Sequence, residues 1–354
     1  MSTMTEITGG VEGVVKKDKQ MDPVIAAGNA LKYVLEAVAG EKVLIICDDI
    51  KKDIGRCFAH GALEIGLQTR LAVLSTDTPT PRKEIPLHVL EMVKSMEPDI
   101  VITILKGGAE EVAFRVKLIQ YVTRVRRRLG HCPGITMDML TIGALALEEA
   151  DYKKLHEETR ALLANLQDVI SARLQTPAGT DVTMNLKGRD FFTDTFLDWK
   201  TLKWMNLPVG EVIAGPVENS LQGRFVCDLA MGGRGRIAHP IVFQCEKGRA
   251  VSYESEDKEA LEEVRKTLSY DSLSNAVGEF AIGLNPAARV MPEFLETEKV
   301  RGTSHIAFGH NLDYPGGQNS SATHLDFLVS QPTITVTYSD GSSKVIVKDG
   351  KLVS

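Results

Sequence analysis

The sequence predicts an α/β protein, with an N-terminal parallel α/β sheet domain followed by a β-rich α+β domain. Three observations lead there. In the first half, short runs that are apolar on both sides alternate with stretches of helical spacing, the pattern of parallel strands covered by helices on both faces. In the second half, short strand-like runs follow one another between Gly, Pro and Asp turns. Residues 151–174, charged and helical in spacing, read as the connector. The expected divisions are a loose segment over 1–20, an α/β domain with its connecting helix over 21–175, and the β-rich domain over 176–354.

Composition sets the outer limits. A chain of 354 residues, 43% hydrophobic and 25% charged, can bury a substantial core. Its net charge of -6 argues against nucleic acid as a partner, because phosphate binding wants a basic surface. The run Arg124, Arg126, Arg127 and Arg128 is the local exception and reads as a solvated helix face. No apolar run reaches the length of a membrane span, and the first twenty residues carry Glu, Lys and Gly where a signal peptide needs an apolar stretch. A cytoplasmic protein with no membrane partner is expected. Cys47, Cys57, Cys132, Cys227 and Cys245 are odd in number and show no Cys-x-x-Cys pairing, so reduced thiols are expected.

In chain order, residues 1–19 lack periodicity and read as loose. Residues 25–38 have helical spacing, with Leu31, Val34, Leu35 and Val38 on one side and Gly40 as a stop. An apolar strand over 43–47 ends at Asp48 and Asp49. A helix over 54–65, a strand over 69–74, a helix over 87–96 and a strand over 99–105 follow, the last running into Lys106, Gly107 and Gly108. Parallel sheets often bind ligands at such strand ends. With no G-x-G-x-x-G and no P-loop, Asp48 and Asp49 read as helix caps and the two glycines as a tight turn.

In the second half, strands are expected over 180–186, 223–230 and 237–245, and a helix over 258–268. The chain closes with an antiparallel meander over 333–338, 344–347 and 352–353. Asn206 to Gly210 forms a rigid turn into a short apolar strand that begins at Glu211, and Glu279 lies among apolar and small residues. A buried carboxylate without a partner is costly. Each glutamate therefore meets a cation, either a metal ion or an arginine such as Arg189, Arg234 or Arg289.

Residues 304–308 and 323–329 read as two short strands joined by a Gly, Pro and Asn segment, so they can lie side by side. Alternation puts His324 and Asp326 on one face and Leu325 on the other, and lets His305 converge on the same spot. Two imidazoles and a carboxylate suit a divalent transition metal, and also match the facial triad of non-haem iron enzymes. His60, His88, His131 and His156, on or beside helices, read as structural or exposed, as does His239; His310, five residues past His305, is the nearest further candidate.

Taken together, the motifs resemble those of the metallo-aminopeptidases of the aminopeptidase T and aminopeptidase S type. The resemblance lies in residues 176–189, which end in Lys-Gly-Arg, in Asn206-Leu-Pro-Val-Gly-Glu211, in Gly278-Glu279 with Gly283 and Asn285, in Gly302-Thr-Ser-His305-Ile-Ala-Phe-Gly309, in Gly316-Gly317 with Asn319, and in His324-Leu-Asp326. It implies two divalent ions, zinc, cobalt or manganese, held by Glu211, Glu279, His305, His324 and Asp326. It also implies a homodimer, a small peptide as substrate, and a catalytic tyrosine whose register falls on Leu312, with Tyr314 two residues further on. Three carboxylates and two neutral imidazoles around two dications leave one net positive charge, which favours a two-metal-bound hydroxide that attacks the scissile carbonyl. The sequence is also similar to the 2,5-dihydroxypyridine 5,6-dioxygenases, which implies a single Fe(II) on His305, His324 and Asp326 and leaves Glu211 and Glu279 unused. A metal-free binding protein on the same fold is the third alternative.

Overall fold

The structure, a computed structural model, describes residues 20–125, 127–197 and 204–353. The segment expected to be loose over 1–19 and Arg126 lie outside the described residues.

The chain opens with α1 (Pro23–Tyr33), started by Asp22, whose side chain accepts the Val24 N–H, and by Pro23 in the first turn. The spacing over 25–38 suggested a longer helix. It ends at Tyr33; Leu35 stays buried beyond it, and Glu36 takes a left-handed turn at φ 51°. There follow β1 (Lys42–Asp48), α2 (Lys52–Glu64), β2 (Gln68–Leu74), α3 (Leu87–Met96), β3 (Ile100–Leu105), α4 (Val112–Val122), β4 (Arg128–Pro133), α5 (Met137–Thr141) and α6 (Glu149–Asn165). Strands β1 to β4 form a parallel sheet with β1 between β2 and β3, as expected from runs apolar on both sides. One face buries Leu31 of α1 and Phe58 of α2, the other Val93 of α3 and Phe114 of α4.

Three expectations for this half are corrected. The arginine run is not a helix face: Arg124 lies in the turn after α4, and Arg128 begins β4. Arg128 donates to the carbonyls of Leu35 and Glu36 and pairs with Glu41 at 2.5 Å, so it ties a strand start to the α1 turn. His131 lies on β4, not beside a helix; it is buried, and burial lowers its pKa to about 3. The connecting helix stops at Asn165. After a turn at Asp168, φ 59°, the period changes from helical to alternating, and Val169–Gln175 is strand β5 with Val169, Ala172 and Leu174 buried.

The second half holds β6 (Asp181–Asn185), β7 (Phe192–Thr193), β8 (Trp204–Asn206), β9 (Glu211–Ala214), β10 (Gln222–Cys227), β11 (Ala230–Met231), β12 (Gly235–Arg236), β13 (Ile241–Glu246), β14 (Arg249–Glu254), α7 (Lys258–Leu268), β15 (Val277–Gly283), α8 (Phe294–Thr297), β16 (Thr303–Gly309), β17 (His324–Ser330), β18 (Thr333–Tyr338), β19 (Ser343–Lys348) and β20 (Lys351–Leu352). Strand β8 returns to the first sheet and extends it beside β4. The others build two antiparallel sheets, ordered β14-β13-β10-β6-β5-β18-β19-β20 and β12-β11-β17-β16-β15-β9-β7. The expected closing meander is β18 to β20. The two antiparallel sheets meet through aromatic rings: Phe243 of β13 lies 5.8 Å from Phe308 of β16 and 4.7 Å from Phe327 of β17, centroid to centroid. By alternation, the neighbours of these rings point away from that core, onto the other face of the seven-stranded sheet. Among the described residues no helix is long and apolar enough to cross a membrane, and the five cysteines are free thiols.

Candidate metal centre

That outer face collects the acids and imidazoles. Cross-strand register puts Glu279 of β15, Ala307 of β16 and Asp326 of β17 in one row, and His305 opposite Ala281 in the next. His324 pairs with Gly309, and Glu211, the first residue of β9, pairs with Gly283. All five expected metal-holding residues therefore share one face, and between them in the ladder stand the small side chains of Ala281 and Ala307. A β-bulge between Val277 and Glu279 sets the direction of Glu279. Gly210 places Glu211: at φ 134°, its backbone passes so close to Asn285 that an added Cβ would stand 2.6 Å from the Asn285 Cβ.

The side chains converge. His305 Nε2 is 3.1 Å from Glu279 Oε1, 3.6 Å from Glu211 Oε2 and 4.0 Å from Asp326 Oδ1. His324 Nε2 is 3.1 Å from Glu279 Oε2 and 3.3 Å from Asp326 Oδ1. Two groups of potential ligands result, Glu211, Glu279 and His305, and Glu279, His324 and Asp326, with the ligand atoms of each within 4.8 Å of one another. Glu211 Oε2 is buried and has no hydrogen-bond partner, which a cation between Glu211, Glu279 and His305 would supply. A set of oxygens and imidazole nitrogens of this kind fits a divalent transition ion.

Charge explains the protonation states. At His305, burial opposes the cation, but Glu279, Glu211 and Asp326 outweigh it and hold the pKa up at about 9. At His324, burial is likewise overcome by Asp326 and Glu279, and the pKa rises well above the usual histidine range. Glu279 is held well below the usual carboxylate range: burial works against its charge, and the two histidines prevail.

The arginines considered as partners of Glu211 and Glu279 are engaged elsewhere. Arg189 pairs with Glu218 at 2.7 Å, Arg234 with Glu259 at 2.9 Å, and Arg289 with Glu296 at 3.0 Å. The cation beside Glu211 is Lys299, 1% exposed, whose ammonium bonds Glu211 Oε1 and lies 3.1 Å from Asp194 Oδ2 and 3.0 Å from Glu298 Oε1. Burial opposes the ammonium, but Asp194, Glu211 and Glu298 keep it charged. Burial pushes Glu211 upward, with Lys299 opposing; the bond to Lys299 fits the ionised carboxylate. Asp194 Oδ1 accepts the N–H groups of Gly210 and Glu211, which locks the start of β9. Neither Lys299 nor Asp194 stood out in the sequence, because Glu-Thr-Glu-Lys over 296–299 has the look of a solvated helix end.

Tyr314 reaches the site despite its displaced register. Its hydroxyl donates to Glu279 Oε2 at 2.5 Å, and its ring rests 5.2 Å from that of Phe192. His310 contributes through its backbone: His324 Nδ1 donates to the His310 carbonyl at 2.8 Å, which turns Nε2 toward Glu279 and Asp326. The side chain of His310 faces Ser321 and Asp313. Asp48 and Asp49 lie apart from this centre; Asp48 pairs with Arg82 at 2.5 Å and accepts the Lys106 N–H, and Asp49 accepts from Thr76.

Known proteins share the fold. The fold resembles wild-type AmpT from Thermus thermophilus, with a TM-score of 0.70 at 20% identity over 94% of this chain and 99% of that one. It also resembles 2,5-dihydroxypyridine dioxygenase from Pseudomonas putida KT2440, with a TM-score of 0.68 at 17% identity over 94% and 97%. No curated protein matches. The family model of the thermophilic metalloproteases (M29) matches residues 144–352, more than half of the chain and every residue of the centre. The chain therefore belongs to the thermophilic metalloprotease family, metal-dependent hydrolases of the aminopeptidase T type that its C-terminal motifs resemble.

Proposed function

We propose that the chain removes the N-terminal residue of small peptides at a centre of two divalent ions, zinc, cobalt or manganese. One observation carries this reading. Glu279 stands between the two histidines, with Oε1 3.1 Å from His305 and Oε2 3.1 Å from His324, so it offers one oxygen to each group of ligands. Glu211 and His305 complete one side, His324 and Asp326 the other. Ions held by these residues would supply Lewis acidity, lowering the pKa of a water and polarising a carbonyl. Tyr314 is the group placed to protonate the leaving amine. In the metal-free chain burial and the neighbouring Glu279 raise its pKa, and its hydroxyl donates to Glu279 Oε2.

A second reading has an observation of its own. Asp326 Oδ1 lies 3.3 Å from His324 and 4.0 Å from His305, and these three side chains suit the single Fe(II) of a ring-cleaving dioxygenase. That reading gives Glu211 and Glu279 no task. Metal content of protein purified without chelator, measured beside hydrolysis of an aminoacyl anilide, decides between them. About two ions per chain with hydrolysis is the expected result. One iron with oxygen uptake would support the dioxygenase, and a protein without bound metal the metal-free binding protein. Glu279→Gln is expected to lose an ion and at least ~100-fold in activity, because it removes the shared ligand.

A further inference from the structure

Arg189, the last residue of the Lys-Gly-Arg motif, takes no part in the metal centre, although it is buried. Its guanidinium grips Glu218, in the segment between β9 and β10, with Nη2 2.7 Å from Oε2 and Nη1 3.2 Å from Oε1. A paired grip of this kind fixes the carboxylate in plane and direction. Glu218 Oε1 in turn accepts the side-chain amide of Asn311 at 3.1 Å and the backbone N–H of Gln318 at 2.7 Å, the two shoulders of the loop that carries Tyr314. Asn311 also donates to the carbonyl of Gly278 at 3.2 Å, next to Glu279, and accepts the Asn319 N–H at 2.7 Å. Inside the loop Tyr314 N–H donates to the Asn311 carbonyl, and Gly317 N–H to the Tyr314 carbonyl. Gly316, at φ 77°, lies against the arginine: an added Cβ would stand 3.1 Å from Arg189 Cδ.

We propose that Arg189 and Glu218 are positioning residues for Tyr314, a latch that holds the 311–319 loop so that the phenol meets Glu279 from two residues beyond the expected register. The inference rests on the reading of Tyr314 as proton donor. The latch holds the loop at both ends, Asn311 ties it to the residue beside Glu279, and Phe192 supports the ring. Orientation achieved in this way is already in place before substrate arrives.

The test uses metal-loaded full chain as wild type, Glu218→Gln, Tyr314→Phe and the double variant, assayed on an aminoacyl anilide. Amide hydrogen exchange over 311–319 is followed separately in metal-free protein. Glu218→Gln should lower kcat by about 10- to 100-fold, the scale of a misplaced catalytic group, with KM and metal content little changed. Exchange at Tyr314, Gly317, Gln318 and Asn319 should quicken, and Arg189→Lys, which keeps the charge but gives up the paired grip, should lower kcat and quicken exchange in the same direction. Added to Tyr314→Phe, Glu218→Gln should cost nothing further. Unchanged exchange, or losses that multiply in the double variant, would overturn the latch. Wild-type kcat in Tyr314→Phe would remove the proton-donor reading, and the exchange result would then decide the latch alone. If Glu218→Gln does not fold, Arg189→Met removes the grip on Glu218 from the other side while leaving the bonds of Asn311 to Gly278 and Asn319, and the same outcomes apply.

Discussion

Two residues of the centre, Lys299 and His305, make opposite demands on charge, and each can be tested. Lys299 offsets Asp194, Glu211 and Glu298 at the edge of the site. Lys299→Met would leave those carboxylates with no ammonium, and removing one partner of a buried ionic group costs about 3–5 kcal/mol. The metal-free variant should therefore unfold at a clearly lower denaturant concentration, and a midpoint equal to wild type would contradict the role assigned to the lysine. His305 must be neutral to bind a metal ion, yet its acidic neighbours hold its pKa at about 9 in the metal-free chain. Metal loading at pH 7 to 8 should thus expel protons, with affinity rising as pH rises toward 9 and falling below it. The sign for folding is the reverse. A raised histidine pKa stabilises the metal-free fold below the unfolded value near 6.5, and this contribution is lost as pH rises through about 9. Calorimetry in buffers of different ionisation enthalpy counts the protons, and a count of zero would remove His305 from the ligand set. Alternation along one strand made His324 and Asp326 readable, with His305 beside them, whereas Glu211 and Glu279 joined the set only through the family resemblance of their motifs. Lys299 was not readable, since burial of a lysine depends on what folds over it.

At the scale of the element, the centre depends on four neighbouring strands, β9, β15, β16 and β17, and a shared apolar face sets the register of the last two. Phe308 and Phe327 anchor β16 and β17 in the core between the antiparallel sheets, and their alternates His305, Ala307, His324 and Asp326 are then forced outward together. The strand period in the sequence made this readable. The small residues between the ligands are equally necessary but carried no sequence signal of their own. Ala307, fully buried between Glu279 and Asp326 in the ladder, is the sharpest case. Ala307→Leu should fill the space where the carboxylates converge and weaken metal binding at least ~10-fold, with the circular dichroism of the sheet preserved. Undiminished binding would show that the space lies elsewhere. The charged stretch before β5 shows where element boundaries escape the sequence. Charge and helical spacing hold through Asn165, and the turn at Asp168 is made by an aspartate, a type that accepts a left-handed backbone more readily than most yet is too common in helices to mark a stop by itself.

For the molecule as a whole, the alternation of apolar strands and helices, followed by turn-rich strands, was enough to foresee the parallel sheet and the β-rich half. It could not reveal which strands go where, because pairing across long separations depends on partners that local pattern does not name. Strand β5 precedes the expected boundary at 176, yet it pairs with both β6 and β18 in the centre of the eight-stranded sheet, while β8, from beyond that boundary, lies beside β4. Anyone who clones 176–354 as an independent piece would thus remove the middle plank of a sheet and bare two raw edges. Such a fragment should cling to copies of itself and precipitate, whereas the full chain, which keeps β5 between β6 and β18 and β8 beside β4, should stay dispersed in light scattering.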